Sequence, residues 1–328
     1  MPVKKLRLKD LAVGMEVAKD LVDVSGRMLL AKGTILTPRL ITRIQIMYSD
    51  MPELGVEVDE NSIAPAVSTQ AARLLEAADG LQQAMVAVRN NQSIDMGPVE
   101  DAVVTIVGQS QTSRGLWDFV ETVWEHHHFM YYHSVAVAGL AASIAKWQGL
   151  SETEMLEVSY AGYFHDIGKA KKDDNSHPWM GVELLTRHAS VNSRILAGVL
   201  QHHERNDGSG FPNGTRASGI DLYGRILGVA NTFHHLSIKN QRAGKCFLLP
   251  VAQTIIEEAP GKYDAMASRA LLDSLIPYYR GRDVILSSEQ TGQIVFIDPA
   301  KPSAPIVQTA DGAVECGKES GIHIAGIL

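Results

Sequence analysis

The chain has 328 residues, of which 45% are hydrophobic and 20% are charged, and its formal net charge is −7. These values are typical of a globular protein with two or three domains. The negative balance argues against duplex nucleic acid as a partner, whereas a small anionic ligand stays compatible with it, because a metal cluster can invert the local charge.

Cysteine content and hydropathy bear on the compartment. The two cysteines are Cys246 and Cys316, which argues against a disulfide framework and favours a reducing compartment. No apolar run approaches the roughly 20 residues that a membrane span needs. The N-terminal stretch MPVKKLRLKD lacks the apolar core of a signal peptide. We therefore expect a cytoplasmic protein without a membrane span.

The first third of the chain predicts a small domain followed by helices. Residues 1–64 alternate short apolar runs with turn signals such as Lys32-Gly33, which predicts a small N-terminal α/β regulatory domain. A helix is expected near 38–47, opened by Thr37-Pro38. Residues 65–112 predict a helical connector, with helices over 68–90 and 97–112.

Helical spacing dominates residues 113–280. Ser151 and Glu154 have the spacing of a capping box, which predicts a helix that runs to His165-Asp166. Further helices are expected from Pro178, over 191–204 and through 226–233, with a loop over 205–221. Residues 281–328 alternate in hydropathy and predict a small C-terminal β segment. The predicted fold class is mainly α, with small β-containing segments at both ends.

Histidines recur at several predicted helices and helix ends. A single histidine is most often a structural residue, but one helical bundle can bring several of them to one cavity. The clustered candidates are His133, His165, Asp166, His177, His202 and His203. Imidazole and carboxylate ligands together suit iron or manganese, and Asp166 is the natural bridge between two ions. Two such ions can polarise a phosphoryl group and activate water, and Lys169 can hold a phosphate oxygen.

Three motifs carry a resemblance to a known family: HDIGK at 165–169, HPWMG at 177–181 and HHERNDGSGFP at 202–212. Together they resemble the HD-GYP family, a branch of the HD phosphohydrolase superfamily whose members typically hydrolyse cyclic di-GMP with two or three metal ions. The resemblance covers about 113–280 and implies a helical bundle of HD type. The segments before and after it also resemble domains often found beside such enzymes.

The resemblance implies a role for each matching residue. It implies that two divalent ions, iron or manganese, are held by the six clustered residues and by position 231, where this chain has Asn231. It implies catalytic roles for Asp166 and Lys169. The implied substrate-binding residues are Lys169, Arg225, Asp207, Gly210 and Phe211.

The chain departs from the family pattern around one ligand position. Asn231 stands where the family has an aspartate, and its neutral carbonyl is a weaker ligand. His234 and His235 follow three and four residues later, near the same helix face. They either replace the missing ligand or are merely polar surface histidines.

Three further departures concern the rest of the pocket. Phe129 stands where members with three metals have a glutamate, so at most two metals are expected, and the histidines at 126–128 are interpreted as a polar helix end. The segment 170–176 is shorter than is usual in the family. Phe211 replaces the signature tyrosine and therefore lacks its hydroxyl.

Two hypotheses of different classes follow. In the first, the chain is a metal-dependent phosphodiesterase that converts cyclic di-GMP to pGpG, with GMP left open as a further product. In the alternative, it is a catalytically degenerate HD-GYP protein that binds cyclic dinucleotide or metal and signals through protein–protein contacts; Asn231, Phe211 and the short 170–176 segment favour this alternative. A pocket altered for another nucleotide is a third interpretation. The N-terminal helices either form a homodimer or simply pack onto the catalytic bundle, and a signalling-protein partner is a further expectation.

Overall fold

The structure, a computed structural model, describes residues 3–8, 11, 15–22, 28–30, 32–34, 36, 55–63, 69–111, 114–122, 129–189, 191–242, 247–317 and 319–327. Cα packing divides the chain into two compact units, 1–76 and 77–328. The predicted division into four parts, at 64, 112 and 280, is finer than this and stays a prediction. The helix predicted near 38–47 and the histidines at 126–128 lie outside the described residues.

The first unit contains short antiparallel strands around a small apolar core. Its strands are β1 Val3–Arg7, β2 Met15–Val17, β3 Leu21–Val22, β4 Met28–Leu30 and β5 Gly55–Ile63. Strand β5 lies between β1 and β2 in one sheet, and β3 pairs with β4 in a second. Val17, Val56 and Val58 are buried in the core between these strands, because alternate residues of a strand point to the same face. The predicted strands are therefore observed here.

Ten helices are described, and nearly all of them belong to the second unit. They are α1 Thr69–Arg89, α2 Met96–Ser110, α3 Gly115–Thr122, α4 Phe129–Trp147, α5 Glu152–Phe164, α6 His177–His188, α7 Ser193–Gln201, α8 Leu222–Arg242, α9 Leu249–Glu258 and α10 Ala265–Tyr279. Two short 3-10 helices lie at Ile167–Ala170 and Ala217–Gly219. The helices predicted over 68–90, 97–112 and 191–204 are thus confirmed, with ends that differ by a few residues.

Helix α4 lies at the centre of the bundle. It packs against α2, α3, α5, α8 and α10. Its apolar residues are buried on several sides, including Val135, Leu140 and Ile144, which is typical of a helix surrounded by other helices. His133 lies in this buried helix, so its side chain is held inside the bundle rather than at the surface.

The start of α5 is defined by local sequence. Ser151 accepts a hydrogen bond from the backbone N–H of Glu154, and the Glu154 carboxylate accepts one from the backbone N–H of Ser151. This capping box satisfies two N–H groups that would otherwise lack an acceptor. It confirms the predicted start of the helix whose other end carries His165.

The C-terminal residues form one antiparallel sheet. Its strands are β6 Asp283–Leu286, β7 Thr291–Phe296, β8 Ile306–Thr309, β9 Gly312–Glu315 and β10 Ile324–Ile327, in the order β10-β6-β7-β8-β9. Side chains at its start anchor it to the bundle: Arg282 donates to Tyr278 Oη over 2.7 Å and lies 3.7 Å from Asp118. The fold is mainly α with small β segments, as predicted. Among the described helices, none is both long and apolar enough to cross a membrane.

Candidate metal centre

Asp166 is the central residue of a buried cluster of ring nitrogens. Its Oδ1 lies 3.3 Å from His177 Nε2 and 3.9 Å from His202 Nε2. Its Oδ2 lies 3.4 Å from His165 Nε2 and 3.9 Å from His133 Nε2. The two oxygens of one carboxylate therefore face two different groups of histidines.

The ligand atoms fall into two sets that share this carboxylate. One set is Asp166, His177, His202 and His203, and the other is His133, His165 and Asp166; in each set the candidate atoms lie within 4.8 Å of one another. Either set has the size and the chemistry of a site for one divalent ion. The six clustered residues predicted from the sequence are therefore brought together in space.

Each element contributes its ligand at a defined point. His133 lies inside α4, whereas His165 and Asp166 follow directly after α5. His177 is the first residue of α6, and His202 and His203 come just after the end of α7. Helix ends suit this purpose because the chain can turn there and direct consecutive side chains to one point.

Backbone carbonyls orient three of the rings. His165 Nδ1 donates to Gly162 O, His177 Nδ1 to Asp174 O, and His202 Nδ1 to Val199 O, each over 2.7 Å. A carbonyl oxygen only accepts, so each ring carries a proton on Nδ1, and in the metal-binding form of the ring the lone pair of Nε2 faces the cluster. Ring nitrogens of metal-binding histidines are commonly oriented in this way.

The short segment before α6 takes part in this arrangement. Asp174, whose carbonyl accepts from His177, lies within the 170–176 segment that is shorter than in the family pattern. Gly168 packs against the same region: a Cβ at this position would collide with the carbonyl oxygen of His177. The absence of a side chain at Gly168 therefore lets the HDIGK turn approach the start of α6 closely.

The protonation states of the cluster suit a cation. Burial and the neighbouring histidines lower the pKa of His133 and of His202 well below the ordinary value, and burial, together with His177, lowers that of His203 to about 2. Burial raises the pKa of Asp166, but His165, His177 and His133 outweigh this and hold it well below its usual range. Neutral imidazoles around an ionised carboxylate are the forms that bind metal.

Two buried oxygens test whether the residues fit a metal ion. Asp166 Oδ1 and Asn231 Oδ1 are buried, and among the described residues neither has a hydrogen-bond donor. The lone pairs of His177 and His202 face each other across 3.3 Å beside Asp166 Oδ1. Such a concentration of acceptors without donors is unfavourable unless a cation lies among them. The residues present therefore fit one or more divalent ions.

Lys169 and Phe211 lie directly beside the cluster. Lys169 Nζ is 2.7 Å from Asp166 Oδ2, and its side chain is 22% exposed, so its ammonium lies between the carboxylate and solvent. The Phe211 ring is stacked on the His203 ring, with centroids 4.3 Å apart. The aromatic ring at position 211 therefore packs on a candidate ligand even without the tyrosine hydroxyl.

The other predicted substrate residues lie in the loop after α7 and on α8. Asp207 is exposed and accepts from the backbone N–H of Ser209 over 2.9 Å. Gly210 packs onto the backbone of His203, where a Cβ would collide with the carbonyl oxygen. Arg225 forms an ion pair with Asp264 at 3.0 Å, and the described contacts do not join it to the histidine cluster. Their role in substrate binding stays a prediction.

Glu204 is a buried residue beside the site to which the sequence alone assigned no role. It is buried, and its two oxygens accept from the backbone N–H groups of Asn213 and Thr215, over 2.8 and 2.9 Å. A buried carboxylate thus holds the loop that carries Phe211. Its place in the HHE triplet was a signal that could have drawn attention to it.

His234 and His235 both contact His133. His234 is buried, and its Nδ1 lies 2.8 Å from His133 Nδ1; His235 is exposed, and its ring centroid lies 4.4 Å from that of His133. Neither belongs to the two ligand sets described above. His234 is therefore a buried neighbour of a candidate ligand rather than a polar surface histidine.

Comparison with known proteins agrees with this site. Residues 130–236 match the HD domain family model. A cyclic di-GMP phosphodiesterase of Thermotoga maritima is 33% identical over 119 residues, which are 31% of this chain and 32% of the relative. The 3'3'-cGAMP-specific phosphodiesterase 1 of Vibrio cholerae is 29% identical over 173 residues, 46% of this chain and 39% of the relative. The matched segments thus span well under half the length of these relatives.

A solved structure shares the fold. It is Bd1817, a HDG"Y"P protein from Bdellovibrio bacteriovorus, with a TM-score of 0.56 and 12% identity; the match covers 84% of this chain and 100% of that one. The helical bundle, the HD domain match and the HDIGK, HPWMG and HHERNDGSGFP motifs all agree. Residues 130–236 therefore form an HD domain, and the motifs and fold of this chain are similar to those of HD-GYP proteins.

Proposed function

We propose that this chain is a metal-dependent phosphodiesterase that hydrolyses cyclic di-GMP to pGpG and, by a second cleavage, to GMP. The observation that carries the proposal is the position of Asp166, whose two oxygens face separate groups of histidine nitrogens. A bridging carboxylate between two imidazole sets is the arrangement by which a protein holds two ions close together. The relative from Thermotoga maritima supports the choice of substrate.

Each residue of the site has a proposed role. Asp166 would be shared by two ions, iron or manganese. His133 and His165 would hold one ion. His177, His202 and His203 would hold the other. The ions would supply Lewis acidity toward a phosphodiester and toward water. Lys169, whose ammonium lies 2.7 Å from Asp166 Oδ2 and is partly exposed, would offer a hydrogen bond to a phosphate oxygen.

The loop and α8 would complete the substrate site. Phe211, stacked on His203, gives the pocket an apolar wall beside the ligands. Asp207 and Gly210 belong to the loop that Glu204 holds closed. Arg225 would contact phosphate, with Asp264 orienting its guanidinium. Asp207 is exposed, which supports its proposed contact with a ligand that approaches from solvent.

The test is hydrolysis by the full chain. We would purify it without chelators, supply Mn²⁺ or Fe²⁺, and follow cyclic di-GMP and 3'3'-cGAMP by chromatography. We expect linear product from cyclic di-GMP, and we expect Asp166→Asn to lower the rate by roughly 100-fold or more, since loss of metal-site partners costs at least 10–100-fold. Asp273→Asn, at an ion pair with Arg269 on the surface of α10, is the matched control and should leave the rate unchanged.

A second candidate function rests on Asn231. Its buried oxygen carries no charge, so the cluster has one anionic ligand fewer than the family pattern. A site weakened in this way would suit a protein that binds cyclic dinucleotide and signals through a partner without cleaving the ligand. Tight binding by calorimetry without product, in a fully metal-loaded sample, would favour this candidate and refute the phosphodiesterase.

A further inference from the structure

His133 differs from three other candidate ligands in the hydrogen-bond partner of its Nδ1 atom, the ring nitrogen that points away from the cluster. The Nδ1 atoms of His165, His177 and His202 each donate to a backbone carbonyl. His133 Nδ1 instead lies 2.8 Å from the Nδ1 of another imidazole, that of His234. Both rings are buried, so this contact is made out of reach of water.

An imidazole nitrogen can either accept a hydrogen bond from the neighbouring ring or donate one to it, whereas a carbonyl oxygen can only accept. In the first arrangement His133 donates from Nδ1 to His234, and the lone pair of His133 Nε2 faces Asp166 and His165. In the second arrangement His234 donates, and the proton of His133 lies on Nε2, which is 3.2 Å from His165 Nε2. Only the first arrangement leaves His133 able to bind a cation at the cluster.

The metal-free protein favours the second arrangement. His165 Nε2 presents a lone pair, because its Nδ1 proton is donated to Gly162 O. A proton on His133 Nε2 then forms a hydrogen bond with His165, whereas the first arrangement opposes two lone pairs across the same 3.2 Å. Metal binding by His133 therefore requires its proton to move from Nε2 to Nδ1. The proton on His234 Nδ1 must leave that atom at the same time, so that His234 Nδ1 can accept.

We infer that His234 is a positioning residue that sets the tautomer of His133 and thereby weakens divalent-ion binding by the His133, His165 and Asp166 set. The inference rests on the metal centre of the proposed function. The other set has His177 and His202 held in their binding tautomers by carbonyls. The two halves of the centre therefore differ in affinity, and the set with His177 fills first.

The test is titration of the chelator-stripped full chain with Mn²⁺ by calorimetry. His234→Asp introduces a group that only accepts when ionised, so it holds the His133 proton on Nδ1. His234→Asn is the matched control, because its amide both donates and accepts. We expect two classes of site in the unmodified chain. His234→Asp should tighten the weaker class by about 10–100-fold, the range for such outer partners, and His234→Asn should not.

A second measurement does not depend on metal. Nitrogen-15 NMR of the metal-free chain reports which ring nitrogen of His133 carries the proton. We expect Nε2 in the unmodified chain and Nδ1 in His234→Asp. His188→Asn, a half-buried histidine at the end of α6, should change neither measurement.

Two results would overturn the inference. One is an NMR spectrum in which His133 already carries its proton on Nδ1 in the unmodified metal-free chain. This measurement does not depend on any variant folding correctly. The other is a pair of Mn²⁺ affinities that His234→Asp leaves unchanged. Because these readouts are binding and tautomer, a chain without hydrolytic activity would refute the proposed function and leave this inference standing.

Discussion

At the scale of the residue, charge and hydrogen-bond capacity decide what the cluster can do. Asp166 and Asn231 both present buried oxygens without a donor among the described residues, but only Asp166 carries a charge. The pKa of its carboxyl is held well below the usual range, and the Lys169 ammonium lies 2.7 Å from its Oδ2. The amide contributes an acceptor that helps a cation without strongly attracting one. We therefore expect Asn231 to give lower metal affinity than an aspartate would, and to spare the metal-free chain an unpaired buried charge.

The opposing effects of a charge at position 231 on metal affinity and on stability lead to a prediction for Asn231→Asp. A carboxylate at this buried position should destabilise the metal-free chain by about 1–3 kcal/mol or more, since it has no donor. The same charge should tighten Mn²⁺ binding, so the variant should be less stable than the unmodified chain with chelator and should gain more from Mn²⁺. Thermal unfolding with and without Mn²⁺ measures both effects.

A matched control for Asn231→Asp lies in the loop after α7. Asn206 donates from its side-chain amide to Tyr263 O over 2.7 Å, away from the ligand atoms. Asn206→Asp should lower stability by the same amount with and without Mn²⁺. An Asn231→Asp variant whose loss is also independent of Mn²⁺ would show that position 231 does not face a metal.

At the scale of the element, the loop after α7 is held by one buried carboxylate. Glu204 directly follows His202-His203, and it accepts from the backbone of Asn213 and Thr215. It thus ties the two ends of the HHERNDGSGFP segment together. Phe211, whose ring stacks on that of His203, lies within this closed loop.

Glu204→Gln should loosen this loop. The amide NH₂ would face a backbone N–H in place of an acceptor, which loses one hydrogen bond and costs about 1–3 kcal/mol locally. We expect faster amide exchange at Asn213 and Thr215, and a higher KM with a smaller change in kcat. Hydrogen-exchange mass spectrometry measures the first effect and steady-state kinetics the second.

Asp207→Asn serves as the comparison for Glu204→Gln. Asp207 is exposed and accepts one backbone hydrogen bond, from Ser209, so water can replace what the variant loses. Exchange at Asn213 and Thr215 should stay unchanged in that variant. Equal exchange in the two variants would contradict the role given to Glu204.

At the scale of the whole molecule, the buried histidines make the metal-free fold sensitive to acid. Burial, together with neighbouring histidines, lowers the pKa of His133 and His202 well below 6.5, and burial lowers that of His234 to about 3. In the unfolded chain these rings return to about 6.5. Unfolding therefore takes up protons below that pH, so the stability present above pH 6.5 is lost as the pH falls.

The expected size of this effect follows from linkage. Each such histidine removes about 1.4 kcal/mol of unfolding free energy per pH unit below 6.5. Asp166, whose pKa is lowered, contributes in the same direction only near and below its ordinary value of 3.8. Urea unfolding of the metal-free chain at pH 7, 6 and 5 measures the slope. His234→Asn should reduce it by about one proton, and a slope near zero in the unmodified chain would contradict the burial of these rings as neutral groups.

The sequence by itself determined the helical class, the helix starts with local signals and the set of ligand types. Ser151 with Glu154, and Pro178 after His177, are local patterns whose physics depends on neighbours within one turn of helix. The HDIGK and HHERNDGSGFP motifs named the clustered residues for the same reason: each motif places its ligands at a helix end. These features needed no knowledge of distant contacts.

Only the tertiary structure decided which atoms of those residues meet. Three features depend on contacts that the local sequence does not specify. They are the division of Asp166 Oδ1 and Oδ2 between two histidine sets, the contact of His234 with His133, and the closure of the loop by Glu204. His234 and His133 lie 101 positions apart, and their pairing depends on how α8 packs against α4. Spacing along one chain carries no signal for such a contact, because it is set by the packing of helices around a shared core.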